Sequence, residues 1–183
     1  MATIEALLTA EEYFKLPDQG RPSELVRGKI VMMNMPGFRH GLVCSAIAAA
    51  LRNFVSDRDL GRVVTNDAGV ITERGPDTVR GADVAFYSFA RLPKTSVPAG
   101  YPGVAPELVF EVLSPSDRWP DVLAKVSEYL KAGVLAVCIV DPEREVVIVH
   151  DAEHPGRTLA AGDELALPEW IGGWRIGVRQ FFE

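Results

Sequence analysis

The fold is decided by the stretch ELVFEVLSPSDRWPDVLAK, which runs from Glu107 to Lys125. Its first part, Leu108 to Leu113, is apolar except for Glu111 and stops at a Ser-Pro pair, a pattern typical of a buried β-strand. Because side chains alternate between the faces of a strand, Glu111 lies on the same face as Val109 and Leu113. An unpaired carboxylate among aliphatic side chains is costly, so we expect a cation, a metal ion or a proton to match Glu111.

A helix is predicted directly after this strand. Pro120 stands where a proline often occupies the first helical position, and Gly133 provides a stop, so the helix runs to about Ala132. Lys125 borders the apolar stripe of this helix, which consists of Val122, Val126, Tyr129 and Leu130. A long lysine side chain at that border can reach the sheet.

Further elements are predicted on both sides of this unit. A capping box at Thr9–Glu12 opens a short helix that ends near Leu16, and a long helix runs from His40 to about Leu60. A polar loop is expected from Glu73 to Gly81. Strands are predicted at 24–26 and 29–33 (a hairpin), 63–64, 70–71, 82–87, 135–140, 146–149, 164–167 and 175–178. We therefore expect one α/β domain over residues 1–183, with a mixed β-sheet flanked by the two longer helices.

The composition is that of a globular protein, with 48% hydrophobic and 24% charged residues. The net charge of −6 gives no support to a strongly basic nucleic-acid binder. A local basic groove or a divalent metal could still attract a nucleic acid. The N-terminus lacks the features of a signal peptide, and the apolar runs are too short to span a bilayer. Cys44 and Cys138 lie in apolar runs as reduced core thiols would. We expect a soluble, cytoplasmic protein without a membrane partner.

Three charged residues form the candidate site. Asp83 lies on a predicted strand, on one face with Ala85 and Tyr87, and Glu111 lies on another strand. Two acidic groups on adjacent strands can share one Mg²⁺, which prefers oxygen ligands and lowers the pKa of a bound water. Lys125 could orient that water or offset negative charge in the transition state. The alternative is a buried ion pair without chemistry.

Several motifs together carry a family resemblance over about residues 9 to 150. They are Glu24-Leu25-Val26-x-Gly28-x-Ile30-Val31, Arg80-x-x-Asp83-Val84, Pro106-x-Leu108-Val109-x-Glu111-Val112-Leu113-Ser114-Pro115-Ser116, Asp121-x-x-x-Lys125-x-x-x-Tyr129-x-x-x-Gly133-Val134 and Val140-Asp141-Pro142. With these motifs the sequence resembles the putative restriction endonuclease family, a bacterial group within the PD-(D/E)XK nuclease superfamily. The resemblance implies a restriction endonuclease-like mixed β-sheet flanked by α-helices.

The resemblance also implies roles for single residues. Asp83 and Glu111 correspond to the two acidic residues of the motif and would ligate Mg²⁺ or Mn²⁺. Glu24 corresponds to an N-terminal acidic residue that could be a third ligand or orient the metal's water. Leu113 stands where the motif usually has lysine, and Lys125 on the following helix is its replacement. Ala82 stands in place of the motif's proline.

The function implied is that of a Mg²⁺-dependent DNA endonuclease, acting as a homodimer. The alternative is a catalytically inactive nuclease-fold domain that serves binding or assembly, to which the acidic balance and the presence of Leu113 in place of the motif lysine give slight support. A third possibility, a two-carboxylate glycoside hydrolase, requires two carboxyl groups facing each other across a sugar cleft. His40 also matches a family position at the start of the long helix, where a capping or packing role is expected over a catalytic one.

Overall fold

The computed structural model describes residues 6–17, 20–153 and 155–183. Its helices are α1 (Ala10–Phe14), α2 (Phe38–Asp57) and α3 (Trp119–Lys131), and two 3-10 turns, Glu169–Ile171 and Val178–Phe181, lie near the C-terminus. Its strands are β1 (Ser23–Val26), β2 (Lys29–Met32), β3 (Gly61–Glu73), β4 (Thr78–Ser88), β5 (Leu108–Val112), β6 (Ala136–Asp141), β7 (Val146–Asp151), β8 (Pro155–Ala160), β9 (Glu164–Ala166) and β10 (Arg175–Gly177). None of the described helices combines the length and the apolar character needed to cross a membrane.

Eight of the strands form one mixed sheet. They follow the order β2-β1-β4-β5-β6-β7-β8, and β3 pairs with β4. Strands β5 and β6 run parallel, with α3 as the crossover between them, whereas the other pairs in the sheet are antiparallel. Strands β9 and β10 form a separate two-stranded sheet. The predicted α/β class with a large mixed sheet is confirmed.

The two longer helices cover opposite faces of the sheet. The apolar stripe of α2 packs on one face together with the C-terminal segments, in a cluster that includes Val43, Ile47, Leu51, Val55, Phe86, Leu108, Phe110, Cys138 and Trp174. The stripe of α3 packs on the other face, in a cluster that includes Val122, Val126, Tyr129, Ala85, Val109, Val137 and Ile139. Neighbouring residues of β5 belong to different clusters, which is the alternation that the strand pattern predicts.

Two local predictions near the N-terminus are confirmed. The capping box at Thr9 and Glu12 has both of its hydrogen bonds, with the Thr9 hydroxyl accepting from the Glu12 amide. Strands β1 and β2 form the predicted hairpin around Arg27 and Gly28, whose φ angles of 49° and 77° are both left-handed. Such a pair of angles matches the right-handed twist of the flanking strands.

The sequence-based boundaries are wrong in the region of β3 and β4. The two short strands predicted at 63–64 and 70–71 are one strand, and Asn66 and Asp67 between them form a bulge, with φ angles of 66° and 54°. Of the loop predicted from Glu73 to Gly81, only residues 74–77 form a turn, since Glu73 ends β3 and the residues from Thr78 onwards belong to β4. The polarity of this stretch is misleading because Arg80 is buried against carboxylates from distant parts of the chain. Helix α2 also begins and ends earlier than predicted.

Strand β4 has an unusual set of neighbours. Strand β3 pairs along one edge of β4, so the other edge must hold both remaining partners, β1 at Val79 and β5 at Val84 to Phe86. Between these two contacts, the segment from Arg80 to Asp83 faces no strand on that edge among the described residues. The sheet therefore has a gap that side chains have to fill.

A glycine at the start of β3 provides a test of this packing. A Cβ atom added to Gly61 would lie 2.1 Å from the Tyr87 carbonyl oxygen and 2.8 Å from the Ser88 Cα, and the backbone of β4 cannot easily move away. We expect Gly61→Ala to lower the free energy of unfolding by about 1–3 kcal/mol, measured by urea denaturation. Gly41→Ala is the matched control, since a Cβ there meets no atom within 4 Å and alanine favours the helix. Equal stabilities of the two variants would contradict the close approach of β3 and β4.

Candidate active site

A cavity of about 180 Å³ opens at the gap in the sheet. All four residues singled out in the sequence, Glu24, Asp83, Glu111 and Lys125, line it. They come from β1, β4, β5 and α3, so four elements that are distant in the sequence meet at one point. The remaining walls are formed by Pro22, Ser23, Met32, Met33, Asn34, Pro36, His40, Asp67, Gly81, Val112, Ser114, Ser116 and Asp117.

Glu111 is a buried acid of the cavity. It lies on the α3 face of β5, where the Tyr129 hydroxyl donates a hydrogen bond of 2.8 Å to Oε1 and the Lys125 ammonium lies 3.5 Å from Oε2. Burial raises the pKa of Glu111 to about 7, because Lys125 compensates the charge only in part and Asp83 opposes ionisation. One oxygen of this carboxylate is therefore fixed by tyrosine, and the other is available to a further cation.

Asp83 is held in a similar way. Its Oδ2 accepts a hydrogen bond of 2.7 Å from the Val112 amide, which bridges the gap where β4 and β5 are no longer paired. Its Oδ1 lies 3.3 Å from Nε2 of His40 on α2, and this contact raises the pKa of the imidazole. Since Gly37 is the N-cap of α2, His40 does not cap the helix, and its contact with Asp83 places it on the cavity wall.

Lys125 reaches from α3 to the sheet, as its position beside the helix stripe predicts. Its Nζ lies 2.8 Å from Glu24 Oε1, and only 18% of the side chain is exposed. Burial disfavours the ammonium, but Glu111 and Glu24 outweigh that effect and raise the pKa of Lys125. The amine is therefore protonated at neutral pH, so it can donate hydrogen bonds but cannot accept a proton.

Glu24 has protein partners on both of its oxygens. Oε1 accepts hydrogen bonds from Lys125 and from the Gly81 amide at 3.1 Å, and Oε2 pairs with Arg80 at 2.8 Å. Although burial opposes ionisation, Lys125 and Arg80 hold the pKa of Glu24 below its ordinary value. As a metal ligand Glu24 would have to give up one of these ion pairs, so the geometry favours its role as a partner of Lys125.

The acids that line the cavity suit a hard divalent cation. Glu111 and Asp83 offer carboxylate oxygens, which Mg²⁺ and Mn²⁺ prefer, and the cavity of about 180 Å³ leaves room for waters that such an ion keeps. His40, Cys44 and Asp83 also offer ligand atoms within 4.8 Å of one another. Burial, reinforced by Asp83, raises the pKa of the Cys44 thiol well above its ordinary value. Zinc binding would have to remove the proton from this thiol, which makes it costly at neutral pH, so the carboxylate oxygens are the stronger set.

The sequence did not single out Asp67, and it named Arg80 only as part of a family motif. Asp67 lines the cavity from the bulge of β3, and burial together with Asp83 raises its pKa. Its Asn-Asp context indicates a left-handed backbone, but not that the bulge faces the site. Arg80 lies behind the cavity, with Glu24 and Glu128 as partners. Its place in a polar stretch gave no sign of burial.

The shifted pKa of Glu111 predicts a pH-dependent stability. Between its ordinary value of 4.5 and its folded value of about 7, the folded protein holds a proton that the unfolded chain has lost, so stability falls as the pH rises. In metal-free buffer at pH 8 we expect Glu111→Gln to raise the free energy of unfolding by on the order of 2 kcal/mol over the wild type, and therefore to unfold at a higher temperature. Near pH 4 the difference should vanish. Thermal unfolding from pH 4 to 8 measures this.

Glu24→Gln is the control for this experiment. The pKa of Glu24 is lowered in the fold, so its contribution to stability is present above its ordinary pKa and is lost at acid pH. We therefore expect Glu24→Gln to destabilise the protein at pH 8. If both variants lost stability at pH 8, Glu111 would be fully compensated in the metal-free protein, contrary to the geometry.

Comparisons with known proteins identify the family and the fold of this chain. Residues 10–179 match the family model of Uma2, described as putative restriction endonuclease. No curated protein matches the chain. The fold is similar to the crystal structure of a putative nuclease belonging to DUF820 from Anabaena variabilis ATCC 29413, with a TM-score of 0.82 and 21% identity over 96% of this chain and 97% of that chain. The predicted restriction endonuclease-like fold is thus confirmed. Because the family model spans nearly the whole sequence, this chain belongs to the Uma2 family of putative restriction endonucleases.

Proposed function

We propose that this protein is a Mg²⁺- or Mn²⁺-dependent endonuclease that hydrolyses phosphodiester bonds in DNA. The observation that carries the proposal is the convergence of Asp83, Glu111 and Lys125 on one cavity. The Val112 amide holds Asp83 Oδ2 and the Tyr129 hydroxyl holds Glu111 Oε1, whereas the other two oxygens have the longer contacts, to His40 at 3.3 Å and to the Lys125 ammonium at 3.5 Å. Membership of the family supports the nuclease class.

In this proposal Glu111 Oε2 and Asp83 Oδ1 hold the divalent ion. When bound there, the ion would supply a Lewis acid for the phosphate and a water of lowered pKa. The Tyr129 hydroxyl and the Val112 amide hold the opposite oxygens of the two carboxylates. Such outer contacts fix the orientation of the ligands before the ion binds, which lowers the cost of assembling the site.

Lys125 acts in this proposal as a hydrogen-bond donor. Its ammonium has three N–H groups, of which Glu24 and Glu111 accept at most two in the present geometry. A remaining N–H can orient the attacking water or a phosphate oxygen and offset the negative charge that develops there. His40, held by Asp83 on the cavity wall, contributes further positive charge next to the substrate when it is protonated.

The protein's charge distribution constrains how DNA reaches the site. With a net charge of −6, the chain has no general attraction for a polyanion. Binding would depend on the local cations of the cavity and on the divalent ion. We propose a homodimer as the active form, because a single cavity can cut one strand of a duplex at a time and two copies would reach both strands.

The proposal predicts metal-dependent cleavage that depends on the two acids. We expect the wild type to nick or cut plasmid DNA with Mg²⁺ or Mn²⁺ and to lose this activity with EDTA. Asp83→Asn and Glu111→Gln should each lower the cleavage rate by at least about 100-fold, since each removes charge at the reacting centre. Gel analysis of supercoiled, nicked and linear forms measures the rates.

Glu107→Gln is the matched control. Glu107 is as buried as Glu111 and flanks the other end of β5, where it accepts hydrogen bonds from Ser88. It does not line the cavity, so its loss should affect stability but leave the cleavage rate within about threefold. Unchanged cleavage in both Asp83→Asn and Glu111→Gln would refute the assignment. If the protein bound DNA but neither cleaved it nor bound Mn²⁺ in calorimetry, the result would instead favour a nuclease-fold binding domain.

A further inference from the structure

A buried arginine stands behind the cavity without lining it. Arg80 lies on β4, in the segment of the shared edge that faces no strand among the described residues, and only 10% of its side chain is exposed. Removing a guanidinium from water is costly, so a buried arginine needs acceptors for its N–H groups. Arg80 finds them in Glu24 of β1 and Glu128 of α3.

The contacts of Arg80 connect the two elements that hold Lys125. Its Nε and NH2 donate to the two oxygens of Glu128 at 2.6 and 2.9 Å, which is a bidentate pair, and its NH1 donates to Glu24 at 2.8 Å. Glu128 lies on α3 one turn after Lys125, and Glu24 is the nearest partner of the Lys125 ammonium. Arg80 therefore contacts both the helix that carries Lys125 and the carboxylate that binds its ammonium.

Arg80 also limits which carboxylate oxygens can pair with the Lys125 ammonium. It neutralises Glu128 and one oxygen of Glu24, so Lys125 shares only the other oxygen of Glu24 and stays within 3.5 Å of Glu111. Without Arg80, Glu24 and Glu128 would lose the guanidinium that they share, and Glu24 would keep Lys125 as its partner. The unneutralised charge on Glu24 would then draw the ammonium away from Glu111.

We propose that Arg80 is a positioning residue that acts through Glu24 and Glu128 to hold the Lys125 ammonium at the cavity. The inference rests on the proposed function only in that Lys125 takes part in the reaction. The bidentate contact makes the role specific to arginine, because a lysine at position 80 has one charged nitrogen and cannot span two carboxylates in the same way.

Cleavage kinetics test the proposal first. Arg80→Gln should lower kcat by about 10- to 100-fold, as loss of an outer partner does, while KM for DNA stays within about twofold because Arg80 does not face the cavity. Arg80→Lys should not rescue kcat. Arg91→Gln is the matched control: Arg91 is also an inward-facing arginine, but it binds Glu107 and the carbonyls of Ala105, Pro106 and Gly133 at the other end of the strands.

A double-mutant cycle separates positioning from general damage. If Arg80 acts through Lys125, then Arg80→Gln should cost less than about twofold in kcat when Lys125 is already glutamine. Full additivity of the two substitutions would overturn the proposal. Glu128→Gln provides a milder variant if Arg80→Gln does not fold, because Glu128 is partly exposed, and it should lower kcat in the same direction without further effect in Lys125→Gln.

A second readout needs no nuclease activity. In metal-free buffer, reductive methylation followed by peptide mass spectrometry gives the reactivity of Lys125 relative to the exposed Lys131 of the same helix. We expect Arg80→Gln or Glu128→Gln to change this ratio at least threefold and Arg91→Gln to leave it unchanged. An unchanged ratio in both site variants would overturn the positioning role. If the wild type cleaves no DNA, the proposed function fails, and the labelling ratio alone decides whether Arg80 holds Lys125.

Discussion

The site depends on one constraint of the sheet, namely that a single edge of β4 is shared by β1 and β5. In the gap between these partners, backbone groups that a neighbouring strand would satisfy need side-chain acceptors instead. Glu24 accepts a hydrogen bond from the Gly81 amide, and Asp83 accepts one from the Val112 amide. The carboxylates that complete the sheet are therefore the same ones that line the cavity, so the fold and the candidate chemistry share their residues.

The two glutamates that contact Lys125 differ in how fully positive groups compensate their charge. Glu24 has two cationic partners, and its pKa is lowered, whereas Glu111 has a tyrosine and a more distant ammonium, and burial raises its pKa to about 7. Two carboxylates whose environments push their pKa values apart take different roles. Glu24 fits a structural partner of the lysine, and Glu111 fits a group that a further cation would complete.

Much of this could be predicted from local patterns. The apolar run with one acid at position 111 predicted a buried strand and the face on which the acid lies, and the helix stripe predicted that Lys125 reaches the sheet. Leu113, where the superfamily motif usually has lysine, packs against the cluster under α3, so an ammonium has to come from that helix. These predictions succeeded because alternation along a strand and periodicity along a helix are properties of adjacent residues.

The sequence by itself determined the α/β class, the hairpin of β1 and β2, the two amphipathic helices and the residues Glu24, Asp83, Glu111 and Lys125 as a candidate set. Only the tertiary structure decided that β3 is one bulged strand, that Asp67 and His40 lie on the cavity wall, and that Arg80 is buried between Glu24 and Glu128. The physical reason is that burial of a charged side chain depends on its partners. Those partners come from strands and helices far apart in the chain, and only the pairing of the sheet brings them together.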